Sequence, residues 1–266
     1  MPFINPAVTQ WIRQMAEGDQ VIAYNAYQCL QEEVLHAAPA EQAALAAALG
    51  EALTATVRPG QGAGSRGAAS FRNNPFLTSV SKETAEPLHP ARVRCGLARL
   101  LGYLPSEPAV PFLAAALKDL EAREAARQAL ESHPSESATS ALIAALDSAG
   151  PTFCAGVIHS LAKRRGDAAA AALRKAAEDR QPEVRVAALL ALADFPEPAH
   201  DAILEKAAKA ASNQERDVAH VARARLARSL VAAGNKPAAE RISRAILASD
   251  AREPQKKAAR LALGLA

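Results

Sequence analysis

Four sets of residues in this chain have the types that do chemistry: a glycine-rich stretch, six histidines, three cysteines and a recurring arginine. The stretch "GQGAGSRG", residues 60–67, has the glycine density with which backbone N–H groups cradle a phosphate. It lacks the GK[ST] ending, no strand pattern precedes it, and no acidic partner follows at dinucleotide-site spacing, so it reads as a linker. The histidines His36, His89, His133, His159, His200 and His220 stand apart from one another, and isolated histidines are commonly structural. Cys29, Cys95 and Cys154 are too far apart for a CxxC metal site, and their odd number rules out a complete disulfide framework. They read as packed free thiols of a reducing compartment. No GxSxG elbow is present and no base is evident beside a thiol, while carboxylate pairs such as Glu178 and Asp179 serve solubility. The sequence therefore predicts no catalytic residue, no metal ligand and no cofactor.

The elements that must position any site are helices. Half of the 266 residues are hydrophobic but only 4% are aromatic, so the core has to be built from Ala and Leu. In "PEVRVAALLALADF", residues 182–195, Val184, Ala187, Ala188, Ala191 and Leu192 fall at the spacing of one helix face. The same face recurs in "VRCGLARLLGYL" from Val93, "AREAARQALE" from Ala122, "FCAGVIHSLA" from Phe153 and "VAHVARARLA" from Val218. Each copy is followed by a break and a second helix, as in "EPAVPFLAAALKD" and "GDAAAAALRKAAED". A hairpin of about 30 residues cannot bury both helices alone, so it stacks on its neighbours, and small side chains let the axes approach closely. Pro182 suits a first helical turn, and Gly166 and Gly234 suit left-handed stops.

The "VRxAAxxAL" helix followed by "xxAxxxLxxAL" resembles the short HEAT-like repeat of the phycobilisome lyase group, over residues 88–213 and more weakly on either side. That resemblance implies an all-α, right-handed α-solenoid of the armadillo type. The run "ARARLARSLVAAGNKPAAERISRAILASD" is more similar to a tetratricopeptide hairpin, with Gly234 at its turn and Ala238 and Ala245 at small-residue positions. The predicted organisation is a helical cap and first hairpin over 1–57, a Gly/Ser/Asn-rich insertion over 58–87, and repeats with a cap helix over 88–266. Within 1–57, "DQVIAYNAYQCLQEEVLHAA" and "AEQAALAAALGEALTATV" are predicted to pair as a hairpin, with "NPAVTQWIRQMAEG" closing its edge.

Members of this superfamily do unrelated jobs, so function has to come from displayed side chains. The His-Glu pairs of the similar deoxyhypusine hydroxylases are missing, since no His here precedes Glu. The aromatic and carboxylate requirements of HEAT-like alkylpurine DNA glycosylases are poorly met by a chain whose single Trp, Trp11, lies in its acidic part. Residues 1–57 carry one base against six acids, 58–100 seven bases against two acids, and 213–266 eleven against five. With a pI near 8.8, the basic C-terminal part reads as a solvated face rather than a nucleic-acid surface. Arg94, Arg123 and Arg185 recur at the second motif position, either as a ladder to acids at helix starts or as a row facing acidic side chains.

The expected function is a non-catalytic scaffold or adaptor that binds a protein partner with an acidic surface, on stacked second helices and on the basic insertion acting as a clamp. Its expected contact set is Arg66, Phe71, Arg72, Phe76, Arg92 and Arg94. A bilin-lyase-like enzyme or chromophore chaperone is the alternative that the resemblance implies, and nucleic-acid binding comes third. The "MPFINPAVTQWIRQMAEGDQ" start lacks a basic segment followed by an apolar run, and no stretch is apolar enough to span a bilayer, so a soluble, cytoplasmic, bacterial protein is expected.

Overall fold

A computed structural model describes residues 5–57, 86–147, 150–210 and 212–264. Among the described residues the chain is all-α apart from two strands of two residues each. In order it forms α1 (Ala7–Glu17), α2 (Gln20–His36), α3 (Pro39–Thr54), β1 (Thr56–Val57), β2 (Glu86–Pro87), α4 (Ala91–Gly102), α5 (Ala109–Ala116) and α6 (Arg123–Ser132). There follow α7 (Glu136–Leu146), α8 (Pro151–Arg164), α9 (Asp167–Ala176), α10 (Pro182–Leu192), α11 (His200–Ala207), α12 (Asn213–Ala232), α13 (Lys236–Leu247) and α14 (Glu253–Ala262). The five helices expected to open repeats are α4, α6, α8, α10 and α12. The helix ends carry the expected chemistry: Pro182 is in the first turn of α10, and Gly166 and Gly234 take φ of 83° and 84°. Asp19 caps α2 by accepting from the N–H groups of Val21 and Ile22, both at 2.9 Å.

Contacts divide the chain into two compact units, Met1–Ser135 and Glu136–Ala266. In the second unit α8 packs on α7, α9 and α10, α10 on α9, α11 and α12, and α12 on α11, α13 and α14. A helix that touches the next helix and the next but one is the signature of stacked hairpins. Ala169, Ala188, Ala219 and Ala222 are buried at the helix contacts, and Leu161, Leu173, Leu192 and Leu226 fill the spaces between them. Every buried leucine withdraws apolar surface at about 25 cal/mol per Å², and alanine at the contact lets many of them be buried at once.

The first unit follows the same rule from α3 onward, with α4 on α3, α5 and α6, and α3 on α5. A Cβ added at Gly50 of α3 would run into the Phe112 ring of α5, so glycine is what lets these two helices meet there. The predicted pairing of the two helices in 20–54 is not the main one: α2 lies chiefly on α1 and reaches α4, while α3 belongs with α4 and α5. The reason is that α2 buries only Ala26, Leu30 and Val34, a single narrow stripe. β1 and β2 pair antiparallel, Thr56 with Pro87 and Val57 with Glu86, and so bring together the two flanks of the insertion. In α13, Ala238 is buried as expected but Ala245 is exposed, because the inward face there is Ile242 and Ile246.

Candidate functional site

The repeated arginines tie one repeat to the next. Arg94 of α4 is 5% exposed, and its guanidinium donates to Asp119 at 2.5 and 3.1 Å, to Glu121 at 2.7 Å and to the His89 carbonyl at 2.5 Å. Both acids lie just before α6, the next first helix. Arg185 of α10 repeats the arrangement, donating to both carboxylate oxygens of Glu215 in the first turn of α12, at 3.0 and 2.7 Å, and to the carbonyls of Asp179 and Arg180. Hydrogen bonding to Asp119 raises the Arg94 pKa. Burial pushes the Asp119 carboxyl up, but the Arg94 hydrogen bond and the N–H groups of Glu121 and Ala122 outweigh it, leaving the carboxyl below its ordinary value. Glu215 is lowered by its hydrogen bond from Arg185. Arg123, the first residue of α6, is half-buried.

Arg94 therefore faces the next repeat, where two acids and a carbonyl engage it. Arg92, two residues earlier, points the other way. It is exposed, and its guanidinium donates to the Ala16 carbonyl at 2.9 Å, at the C-terminal end of α1. The remaining members of the expected set, Arg66, Phe71, Arg72 and Phe76, lie outside the described residues.

Arg92 stands on the edge of a groove of about 550 Å³ where α1, α2 and α4 converge. Tyr24 and Tyr27 come from α2, Arg92 and Arg99 from α4, and Met15 lies on its floor with Gly96. A Cβ on Gly96 would come within 3.0 Å of the Met15 methyl and 3.4 Å of the Tyr27 ring, so glycine keeps this floor open. Burial raises the Tyr27 pKa, with Tyr103 adding to it and Arg99 opposing it, so its phenol remains a hydrogen-bond donor at neutral pH. In the groove α2 leaves Tyr24 63% exposed, and on other faces of the same helix Val21 and Ile22 are exposed as well. Tyrosine and arginine around an apolar surface are the residue types enriched in protein interfaces. The sequence reading missed this site because α2 and α4 are brought together across the insertion. The available signal was local: Val21, Ile22 and Tyr24 put large apolar side chains on more than one face of α2.

Burial raises the Cys154 thiol pKa, with Asp179 adding to it. Among the described residues no group of three or more His, Cys, Asp or Glu side chains is placed to hold a metal ion. No helix among them is long and apolar enough to cross a membrane.

Fold and groove together define a helical-repeat protein of HEAT-like resemblance. No protein-family model and no curated protein sequence matches the chain. Among solved structures it is similar to the complex of CpcE and CpcF of phycocyanin lyase from Nostoc sp., at 21% identity, covering 100% of this chain and 97% of that one, with a TM-score of 0.42. It is also similar to human deoxyhypusine hydroxylase, at 15% identity, 97% and 95% coverage and a TM-score of 0.31. A designed armadillo repeat protein in complex with the peptide (KR)4 matches at 18% identity, 97% and 98% coverage and a TM-score of 0.27. At these values none of them assigns an activity or a partner to this chain.

Proposed function

We propose that the protein is a non-catalytic helical-repeat adaptor that captures a protein partner in the groove of α1, α2 and α4. The observation that carries this reading is the exposed Tyr24, with Tyr27, beside Arg92 and Arg99 in one groove. An exposed apolar surface rimmed by polar groups marks an interaction site, and a rigid helical scaffold loses little entropy on binding. Tyr24 and Tyr27 supply flat contact area with few rotatable bonds, and the two arginines favour an acidic surface on the partner.

The test is affinity capture from the cell of origin with the wild-type chain and with a Tyr24→Ala/Arg99→Glu variant, read by mass spectrometry. The adaptor reading expects a protein retained by the wild type and lost by the variant, with the two melting temperatures alike. Capture profiles that do not differ overturn it. Adding an open-chain tetrapyrrole to the purified chain tests the chromophore-handling alternative, which requires a shift in the pigment's absorption spectrum.

A further inference from the structure

The second unit holds its own groove, of about 480 Å³, between α8 and α10. Its lining is mainly aliphatic, Ala155, Ile158 and Ala162 from α8 and Ala187, Leu190 and Ala191 from α10, with the exposed His159 among them. On each helix these positions fall on one face, so two parallel stripes make a strip about 10 Å long. The rim is cationic. Lys163 and Arg165 stand at the end of α8, Arg225 reaches in from α12, and all three are exposed. Asp194 is the single acid in the lining, and its carboxylate is 2.6 Å from the Arg225 guanidinium.

Arg165 has φ 59° and ψ −161°, a backbone conformation reserved almost entirely for glycine. Its N–H closes α8 on the Leu161 carbonyl, a task that glycine performs without strain. Cations in the last turn of a helix offset its dipole, which accounts for Lys163 and Arg164. It does not account for an arginine placed one residue later in a glycine conformation. What arginine adds at that position is a guanidinium on the groove's rim.

We propose that the groove of α8, α10 and α12 binds an acidic amphipathic peptide segment, with its apolar side chains on Leu190, Ala155 and Ala187 and its carboxylates against Arg165 and Arg225. A nucleic acid fits less well, since Asp194 repels phosphate and the exposed His159 is the one ring in the lining on which a base could stack. The inference stands on the second unit alone and is independent of the tyrosine groove.

Fluorescence anisotropy on the full chain tests it. The probe is a labelled helix-forming peptide of about four turns, with Leu along one face and Glu on the flanks. The controls are the same peptide with Gln for every Glu and a single-stranded oligonucleotide of equal charge. Saturable binding of the Glu peptide that weakens with salt is expected, with the Gln peptide and the oligonucleotide binding less tightly. Arg165→Gly should weaken binding roughly fivefold, the scale of one partly exposed charge pair, while the melting temperature stays level or rises. Ala187→Glu should weaken it further, and Tyr24→Ala should leave it unchanged. Absence of saturable binding, equal affinity for the Gln peptide, preference for the oligonucleotide, or an Arg165→Gly variant that binds like wild type each overturns the proposal. Loss of binding in Tyr24→Ala also overturns it, by placing the peptide on the first unit.

Discussion

The two units use the same stacking rule but display different chemistry beside it. In the second unit the exposed groove is floored by alanine, isoleucine and leucine from successive first helices, with charge confined to the rim. In the first unit the groove lies where α2 leaves the regular stack, and there the chain shows tyrosine, valine and isoleucine to solvent. A regular repeat buries most of its apolar residues against its neighbours, whereas α2 buries only Ala26, Leu30 and Val34 and leaves Val21, Ile22, Tyr24 and Leu35 exposed. The same contrast separates Arg94 from Arg92. Two residues apart on α4, they face opposite ways, one into the stack and one onto the groove.

The largest expected effect breaks the stack rather than a groove. Asp119→Ala leaves the Arg94 guanidinium buried with its main partner gone, which should cost about 3 kcal/mol in chemical denaturation. Glu215→Gln removes only the charge from the matching pair in the second unit and should cost about 1–2 kcal/mol. The two differ because Arg94 is the more deeply buried arginine. Glu215 also sets a pH dependence. Its carboxyl is held below the ordinary value in the folded chain, so the unfolded chain takes up the proton first as pH falls. Its stabilisation is therefore complete above the ordinary glutamate value and is lost as the pH falls through the lower folded-state value. A melting-temperature series from neutral to acid pH should fall less steeply for Glu215→Gln than for the wild type.

The stack was legible in the sequence because its rule is local and repeated. Alanines at helical spacing, together with Pro182, Gly166 and Gly234, place the helices of the second unit without any long-range information. The true partner of α2 was not legible, because a narrow apolar stripe fits α1 or α3 equally well until the chain is folded. The candidate grooves were hidden for a related reason: each is lined by helices whose contributing residues are far apart in sequence. Arg92 was singled out from its local positive charge and does line a groove, whereas Arg94, chosen on the same ground, is turned inward by two acids about one repeat away. Nothing in the run Arg164, Arg165 and Gly166 announces that the arginine, as well as the glycine, takes a positive φ.

The smaller effects separate the two grooves. Arg165→Gly should raise stability by about 1 kcal/mol, since it relieves a conformation that costs a side chain of order 1–3 kcal/mol, less the entropy that glycine adds to the unfolded chain. Tyr24→Ala should change stability by less than about 0.5 kcal/mol, because its ring is mostly in solvent. Both variants would thus retain the stack and weaken recognition, but only one of them would gain stability. The difference has a physical origin: the second unit's rim depends on a strained backbone at the end of α8, whereas the first unit's groove displays Tyr24 from the second turn of α2. Equal unfolding free energies for Arg165→Gly and Tyr24→Ala, measured in the same denaturant series, would remove that distinction and leave the two grooves differing only in the side chains that line them.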